Sequence, residues 1–266
     1  MRGIERIAGA FAEGGDIRLM THAVCGYPDM AGSAAILASM ADSGAAIIEA
    51  QIPFSEPSAD GPLIVEANHA ALRRGAGTKA CLAMLGELRR RTGTPILVMS
   101  YLNPLVSFGP EAFVSALVDA GIDGAIVPDL PDDEPEPPLR KLFASAGLAF
   151  VPLIAPSTSP ERAGLLARSA GSPLVYVVMR LGVTGRRTEI DQASRDRLEE
   201  LRRATGLRLA AGFGIRDRAQ VEALRGSADC AIVGSALLAE ARRAIAAGED
   251  PARAVGTLVE VLVGRR

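Results

Sequence analysis

Short apolar runs alternate along this chain with longer stretches whose apolar residues recur every three or four positions, the signatures of doubly buried strands and amphipathic helices. Ile4 to Glu13 reads as a first helix closed by Gly14-Gly15, and Arg18 to Val24 as a first strand. Asp29 to Ser43 is a helix with Ile36, Leu37 and Met40 at helical spacing, and Ala45 to Ile52 is strand two. Next come helices over Leu63 to Arg74 and Thr78 to Arg91, strand three at Pro95 to Met99, a loop from Ser100 to Gly109, and a helix opened by Pro110. Asp123 to Val127 makes strand four; the helix after it, near Asp133, starts late because Pro135, Pro137 and Pro138 resist it. Strand five is Ala149 to Ile154, and Ser159-Pro160-Glu161 opens the following helix with an N-cap and a first-turn proline. Strand six, Leu174 to Met179, leads into a polar aperiodic loop, Arg180 to Asp191, and a helix from Ser194 to Thr205. Leu207 to Ala211 is strand seven, Asp217 caps a helix to about Leu224, and Asp229 to Val233 is strand eight. Ala236 to Ala247 and Pro251 to Val263 are the last helices.

Eight apolar strands alternating with helices give an α/β chain in the order of a (β/α)8 TIM barrel of ~250 residues with an extra N-terminal helix. A doubly wound open sheet is the competing architecture. Even spacing of the units and the lack of a composition break favour closure, as one domain over residues 1–266. The barrel also predicts where chemistry lies, at the C-terminal ends of strands and in the loops that follow them.

Composition narrows the function classes. Net charge is −2 with 23% charged residues of both signs interspersed, so no basic face points to nucleic acid or an anionic membrane. Cys25, Cys81 and Cys230 are scattered, with neither metal-ligand spacing nor an even disulfide framework, which fits a reducing cytoplasm and predicts no metal. The first residues carry acids rather than a secretory h-region, and no stretch reaches ~18 uninterrupted apolar residues. A small molecule or another protein is the expected partner.

Glu49 stands near the C-terminal end of strand two, where an unpaired charge costs several kcal/mol, so it either has a partner, such as an arginine at the rim, or does chemistry. Asp60, in the loop beyond, precedes Gly61-Pro62 and a helix; it is either an N-cap or a functional carboxylate. Three glycine clusters follow late strands: Gly182 to Gly185, Gly212-Phe213-Gly214 and Gly234-Ser235. Such loops let backbone N–H groups approach a phosphate, although tight turns alone also need glycine. Arg180, Arg186 and Arg187 are placed to meet a phosphate, to pair with Asp60 or Glu189, or to remain solvated.

The runs IIEAQIPFSEPSADGP, VPDLP at Val127 to Pro131, RLGVTGRRTE at Arg180 to Glu189, GFGI at Gly212 to Ile215 and GSA at Gly234 to Ala236 occur in order. Together they resemble the tryptophan synthase α subunit family, with matching spacing from about Arg18 to Leu238. The resemblance implies retro-aldol cleavage of indole-3-glycerol phosphate to indole and glyceraldehyde 3-phosphate. By position it makes Glu49 the proton shuttle to indole C3 and Asp60 the acceptor of the indole N–H proton. It makes Tyr176 and Thr184 supports of the site, the threonine positioning Asp60 on loop closure. Gly185, Gly214, Gly234 and Ser235 become the phosphate cradle, and Tyr101, Ile126, Ile154 and Phe213 the apolar walls around indole. It further implies an αββα assembly with a β subunit that carries the pyridoxal phosphate, leaving no cofactor in this chain, with the loops after strands two and six closing as a lid at the contact.

Two carboxylates in different environments can divide acid and base work; Asp60, nearer the surface, is expected to stay ionised, and Glu49, deeper, to give and take a proton. Some positions depart from the commoner family pattern: Gln51 for glycine, Glu56 for aspartate, Ser58 for an apolar residue, and His22 where an apolar or aromatic side chain often lines the pocket. A lone strand histidine is more often packed than functional. The partner loop leaves a stand-alone indole-releasing lyase open, and a non-catalytic sugar-phosphate-binding regulatory subunit would share the glycine rim. A phosphate-binding barrel isomerase would share it too, but does not account for PFSEPSADGP.

Overall fold

The computed structural model describes residues 3–12, 17–130, 138–179, 190–212 and 214–265. Its strands are β1 Arg18–Val24, β2 Ile47–Gln51, β3 Ile96–Met99, β4 Gly124–Ile126, β5 Ala149–Phe150, β6 Leu153–Ile154, β7 Leu174–Val178, β8 Arg208–Gly212 and β9 Cys230–Val233. The helices are α1 Gly3–Gly9, α2 Met30–Asp42, α3 Pro62–Arg73, α4 Thr78–Arg89, α5 Leu102–Phe108, α6 Pro110–Asp119, α7 Pro138–Ser145, α8 Pro160–Ala170, α9 Gln192–Thr205, α10 Arg218–Ala223, α11 Ser235–Ala246 and α12 Pro251–Val263.

All strand pairs are parallel, in the order β5-β4-β3-β2-β1-β9-β8-β7-β6. The two ends of that order are halves of one strand. Between them Val151 N–H donates to Ala125 O on β4 at 2.9 Å, and Pro152 O accepts from Tyr176 N–H on β7 at 2.9 Å. The predicted strand five therefore closes the sheet into a barrel, divided at the residue that has no N–H to give.

Closure buries both faces of every strand, which is why the strands read as unbroken apolar runs. Successive side chains go to different cores. Leu19, Ile48, Ile96, Val98, Leu209 and Ala211 belong to the layer between sheet and helices, whereas Met20, Ile47, Leu97, Met99, Ala210 and Cys230 fill the barrel interior. Ile7 and Phe11, in and just after α1, join the interior cluster, so the N-terminal helix plugs it.

Asp123, fully buried at the start of β4, fastens that helix to the barrel. Its carboxylate pairs with Arg6 of α1, accepts from Arg89 Nη1 of α4 at 3.2 Å, and accepts from Ile96 N–H of β3 at 2.7 Å.

Most predicted elements are present within a residue or two. α5 is the exception, a seven-residue helix inside the expected loop, where Pro104 masks the helical pattern and Asp129 Oδ1 accepts from Leu102 N–H at 2.8 Å. The helix start near Asp133 and most of the loop from Arg180 to Asp191 lie outside the described residues. Among the described residues no helix is long and apolar enough to cross a membrane.

Replacing Asp123 by alanine leaves two guanidinium groups and one strand N–H without their shared acceptor. The expected loss is about 3 kcal/mol, read as a lower urea midpoint at unchanged slope; a loss below ~1 kcal/mol would show that the cluster behaves as a surface ion pair.

Candidate active site

Parity carries the polar groups into the barrel mouth. Two residues above Met20 on the interior face stands His22; above Ile47 stand Glu49 and Gln51; above Leu174 stands Tyr176. His22, Glu49 and Tyr176 meet around a cavity of about 260 Å³ at the C-terminal ends of the strands, with Gln51 buried beside it. His22, Glu49, Asp60 and Tyr176 line one part of it, and Gly214, Gly234 and Ser235 another.

Glu49 is 2% exposed and does not meet an arginine. Its Oε1 lies 3.2 Å from Nδ1 of His22, its cross-strand neighbour in the β1–β2 register. Its Oε2 and the His22 Nε2 have no hydrogen-bond partner among the described residues. Burial works most strongly against a charged His22, but the charge and hydrogen bond of Glu49, the charge of Asp60 and the side chain of Gln51 together outweigh it. The histidine pKa ends above its ordinary value.

Asp60 is not the surface carboxylate the sequence suggests, nor an N-cap. It is 8% exposed, and the cap residue of α3 is Gly61, with no side-chain bond to the helix. The loop after β2 folds inward because α3 holds it: buried Asn68 Oδ1 accepts from Phe54 N–H at 2.9 Å, and His69 Nε2 meets Ser55 O at 2.9 Å. Asp60 Oδ2 then accepts from Gln51 Nε2 at 2.7 Å and from the Tyr101 hydroxyl at 3.2 Å. Burial raises the Asp60 pKa; His22 and these two donors act against the rise without cancelling it.

The other predicted residues divide. Ile126 and Tyr176 line the cavity as expected, and burial together with the two carboxylates pushes the Tyr176 phenol well up. Tyr101 is fully buried, and instead of forming an apolar wall it accepts from Ala59 N–H at 3.0 Å while donating to Asp60. Ile154 packs in the outer core; its neighbour Leu153, two residues from interior Val151, faces the cavity. A one-residue step along a strand changes faces, and that step separates the expectation from the structure. Thr184, Gly185 and Phe213 lie outside the described residues, as do Arg180, Arg186 and Arg187.

Gly212 serves the sheet, since a Cβ there would stand 2.5 Å from that of Ile232. Gly234 and Ser235, at the N-terminus of α11, open backbone N–H groups and a helix dipole toward the cavity. Arg216 adds a guanidinium at the same rim, a residue the sequence reading passed over. Asn68 was also missed, although a polar residue in the apolar register of Ile64, Ala67 and Ala71 was a visible signal. Among the described residues no group of three His, Cys, Asp or Glu is arranged to hold a metal ion.

A profile described as Tryptophan synthase alpha chain matches residues 11–262. The chain belongs to the tryptophan synthase alpha chain family. The Tryptophan synthase alpha chain of Desulforapulum autotrophicum is 43% identical over 84% of this chain and 87% of that protein. That of Xanthomonas axonopodis pv. citri is 39% identical over 89% of each. Tryptophan synthase subunit alpha from Legionella pneumophila str. Paris superposes with a TM-score of 0.90 at 29% identity, covering 99% of this chain and 98% of that one. A chain of Mycobacterium tuberculosis tryptophan synthase does so at 0.84 and 30%, covering 98% and 95%. The expected lyase class, the TIM barrel and the family resemblance are borne out. The chain is a lyase of tryptophan biosynthesis whose substrate is indole-3-glycerol phosphate and whose partner is the β subunit; the synthase's pyridoxal phosphate is carried by that partner.

The raised Asp60 pKa has a sign. Folding disfavours its ionised form, so stability is withheld above the folded pKa and restored as pH falls through it toward the ordinary carboxylate value. Asp60→Asn keeps an acceptor for Gln51 and Tyr101 while removing the charge. It is expected to raise Tm at pH 7 on the order of 2 °C, with the gain vanishing in acid; equal Tm values at all pH would contradict the assigned burial cost.

Proposed function

We propose that Glu49 and Asp60 carry out the cleavage, with Glu49 moving protons at indole C3 and the glycerol hydroxyl and Asp60 accepting the indole N–H. The observation that supports this best is their placement on one cavity wall, with different surroundings. Glu49 has a basic side chain beside it, whereas Asp60 is held by two neutral donors on one oxygen, Oδ2.

Each step uses groups in place. Indole becomes a leaving group once C3 gains a proton, and Asp60 favours that protonation by drawing the N–H proton toward itself. The C–C bond then breaks as the hydroxyl gives its proton to Glu49, leaving glyceraldehyde 3-phosphate. Tyr176, Ile126, Leu153 and Ile232 give the indole an apolar enclosure. Gly214, Gly234, Ser235 and Arg216 receive the phosphate at the α11 N-terminus. Thr184, Gly185 and Phe213 complete the proposal as positioning, phosphate and wall residues. Glu56 and Ser58 are exposed in the loop that carries Asp60, so that loop presents both a surface to the β subunit in an αββα assembly and a carboxylate to the substrate. The proposed compartment is the cytoplasm, and the whole chain acts as one barrel unit.

Glu49→Gln should remove cleavage by about 10²–10⁴-fold while leaving the thermal melt of the chain in place. The measurement is indole release from indole-3-glycerol phosphate, alone and with the β subunit from the same source. Stimulation by the partner is expected for the unaltered chain. Turnover by Glu49→Gln close to that of the unaltered chain would remove Glu49 from the mechanism, and the lack of any stimulation would remove the proposed docking loop.

A further inference from the structure

Two side chains at the mouth have no role in the cleavage as described, and both stand against its carboxylates. His22 touches Glu49 through Nδ1 at 3.2 Å and leaves a buried Nε2 without a partner among the described residues. Gln51 gives its amide N–H to Asp60 at 2.7 Å and leaves a buried Oε1 in the same condition. The β1–β2 register sets His22 opposite Glu49, and Gln51 follows Glu49 by two residues on the same face. The pairs Glu49–His22 and Gln51–Asp60 therefore stand side by side. The imidazole is backed closely by Gly234: a Cβ there would stand 3.1 Å from the His22 Cβ and 3.3 Å from its ring, so any larger residue would press the histidine by a few tenths of an ångström.

We propose that His22 is a positioning residue for Glu49: Nδ1 and the carboxylate share the proton that the shuttle delivers to indole C3. This rests on the assignment of Glu49 as the shuttle. The proton count balances. The pair begins with one shared proton, Glu49 passes it to C3, the C–C bond breaks, and the glycerol hydroxyl returns one proton to Glu49 as the aldehyde forms. The pair keeps a proton until the imidazolium is lost. The groups facing His22 agree with this. Glu49 from β2 and Asp60 from the loop beyond favour its charge; Tyr101 and Tyr176 are phenols kept protonated, Cys230 on β9 is a buried thiol, and Arg216 stands at the rim. With the histidine pKa raised, the pair holds its proton below that pKa and loses it as pH rises through it, which sets the alkaline limb of the rate.

The test compares His22→Phe and His22→Gln with the unaltered chain, each in complex with the β subunit, measuring kcat and KM for indole release. His22→Phe is expected to lose roughly tenfold more kcat near pH 8.5 than near pH 6, because the imidazole that shares the shuttle's proton is gone. His22→Gln, which donates but does not titrate in this range, should recover kcat near pH 6 and not near pH 8.5. An independent readout is the ring titration of His22 by NMR; the chain has two histidines, so His22→Phe assigns the signal by its absence. In Glu49→Gln that titration should move to lower pH. A His22→Phe profile parallel to that of the unaltered complex, or a His22 titration that Glu49→Gln leaves in place, would overturn the proposal. If Glu49→Gln is inactive while the His22 variants keep the ordinary profile, this inference alone fails; if Glu49→Gln still cleaves, the shuttle assignment fails with it.

Discussion

Everything in this molecule depends on a closed parallel sheet having no wet face. Each strand residue must enter either the barrel interior or the layer beneath the helices, and the period of two decides which. The interior file is apolar where α1 plugs it, at Met20, Ile47 and Leu97, and becomes polar toward the other end, at His22, Glu49 and Tyr176 around the cavity and Gln51 beside Asp60. One alternation thus supplies the hydrophobic core and delivers the reactive groups to a single opening. The same constraint explains why Glu49 and Asp60 are tolerated at such depth. Each charge sits beside a side chain able to donate to it, and the barrel brings those donors from adjoining strands and loops rather than from solvent.

Asp60 shows how a loop residue comes to behave as a core residue. Nothing in PFSEPSADGP requires it to turn inward; Asn68 and His69 on the following helix grip the loop at Phe54 and Ser55, and the ring of Phe54 lies 5.3 Å from that of Tyr101. The carboxylate then meets Gln51 and Tyr101 in a space that water scarcely reaches, and its raised pKa follows from that placement.

Local pattern was enough for the strands, for most helices and for the barrel, because unbroken apolar strand runs and helix caps such as Asp29, Ser159 and Asp217 are written in neighbouring residues. It marked Glu49 as a buried carboxylate, since a charge in an apolar run declares itself. What the pattern did not show is long-range. Tyr101 was placed at an indole wall by the family resemblance, and its bond to Asp60 spans 41 positions. Ile154 was placed in the pocket by the same resemblance, and the face of its two-residue strand is fixed only by the partners of β6, Tyr176 and Val177. Asp123 read as an ordinary strand residue because Arg6, which it holds, is 117 positions away.

The placing of β1 has a consequence for how the chain is made. Its partners are β2, which follows at once, and β9, whose pairing joins Arg18 to Cys230 and Met20 to Ile232. On a ribosome that second edge stays open until nearly the whole chain has emerged, and an uncovered apolar edge is a place for wrong pairings. The edge that brings His22 to Glu49 is the early one, but Ile232, Gly234 and Ser235, which help to line their cavity, lie on and just after β9. The reactive pair therefore acquires its dry surroundings only when the final strand docks, and a ribosome-bound fragment ending before Cys230 holds both residues without the enclosure that makes them useful.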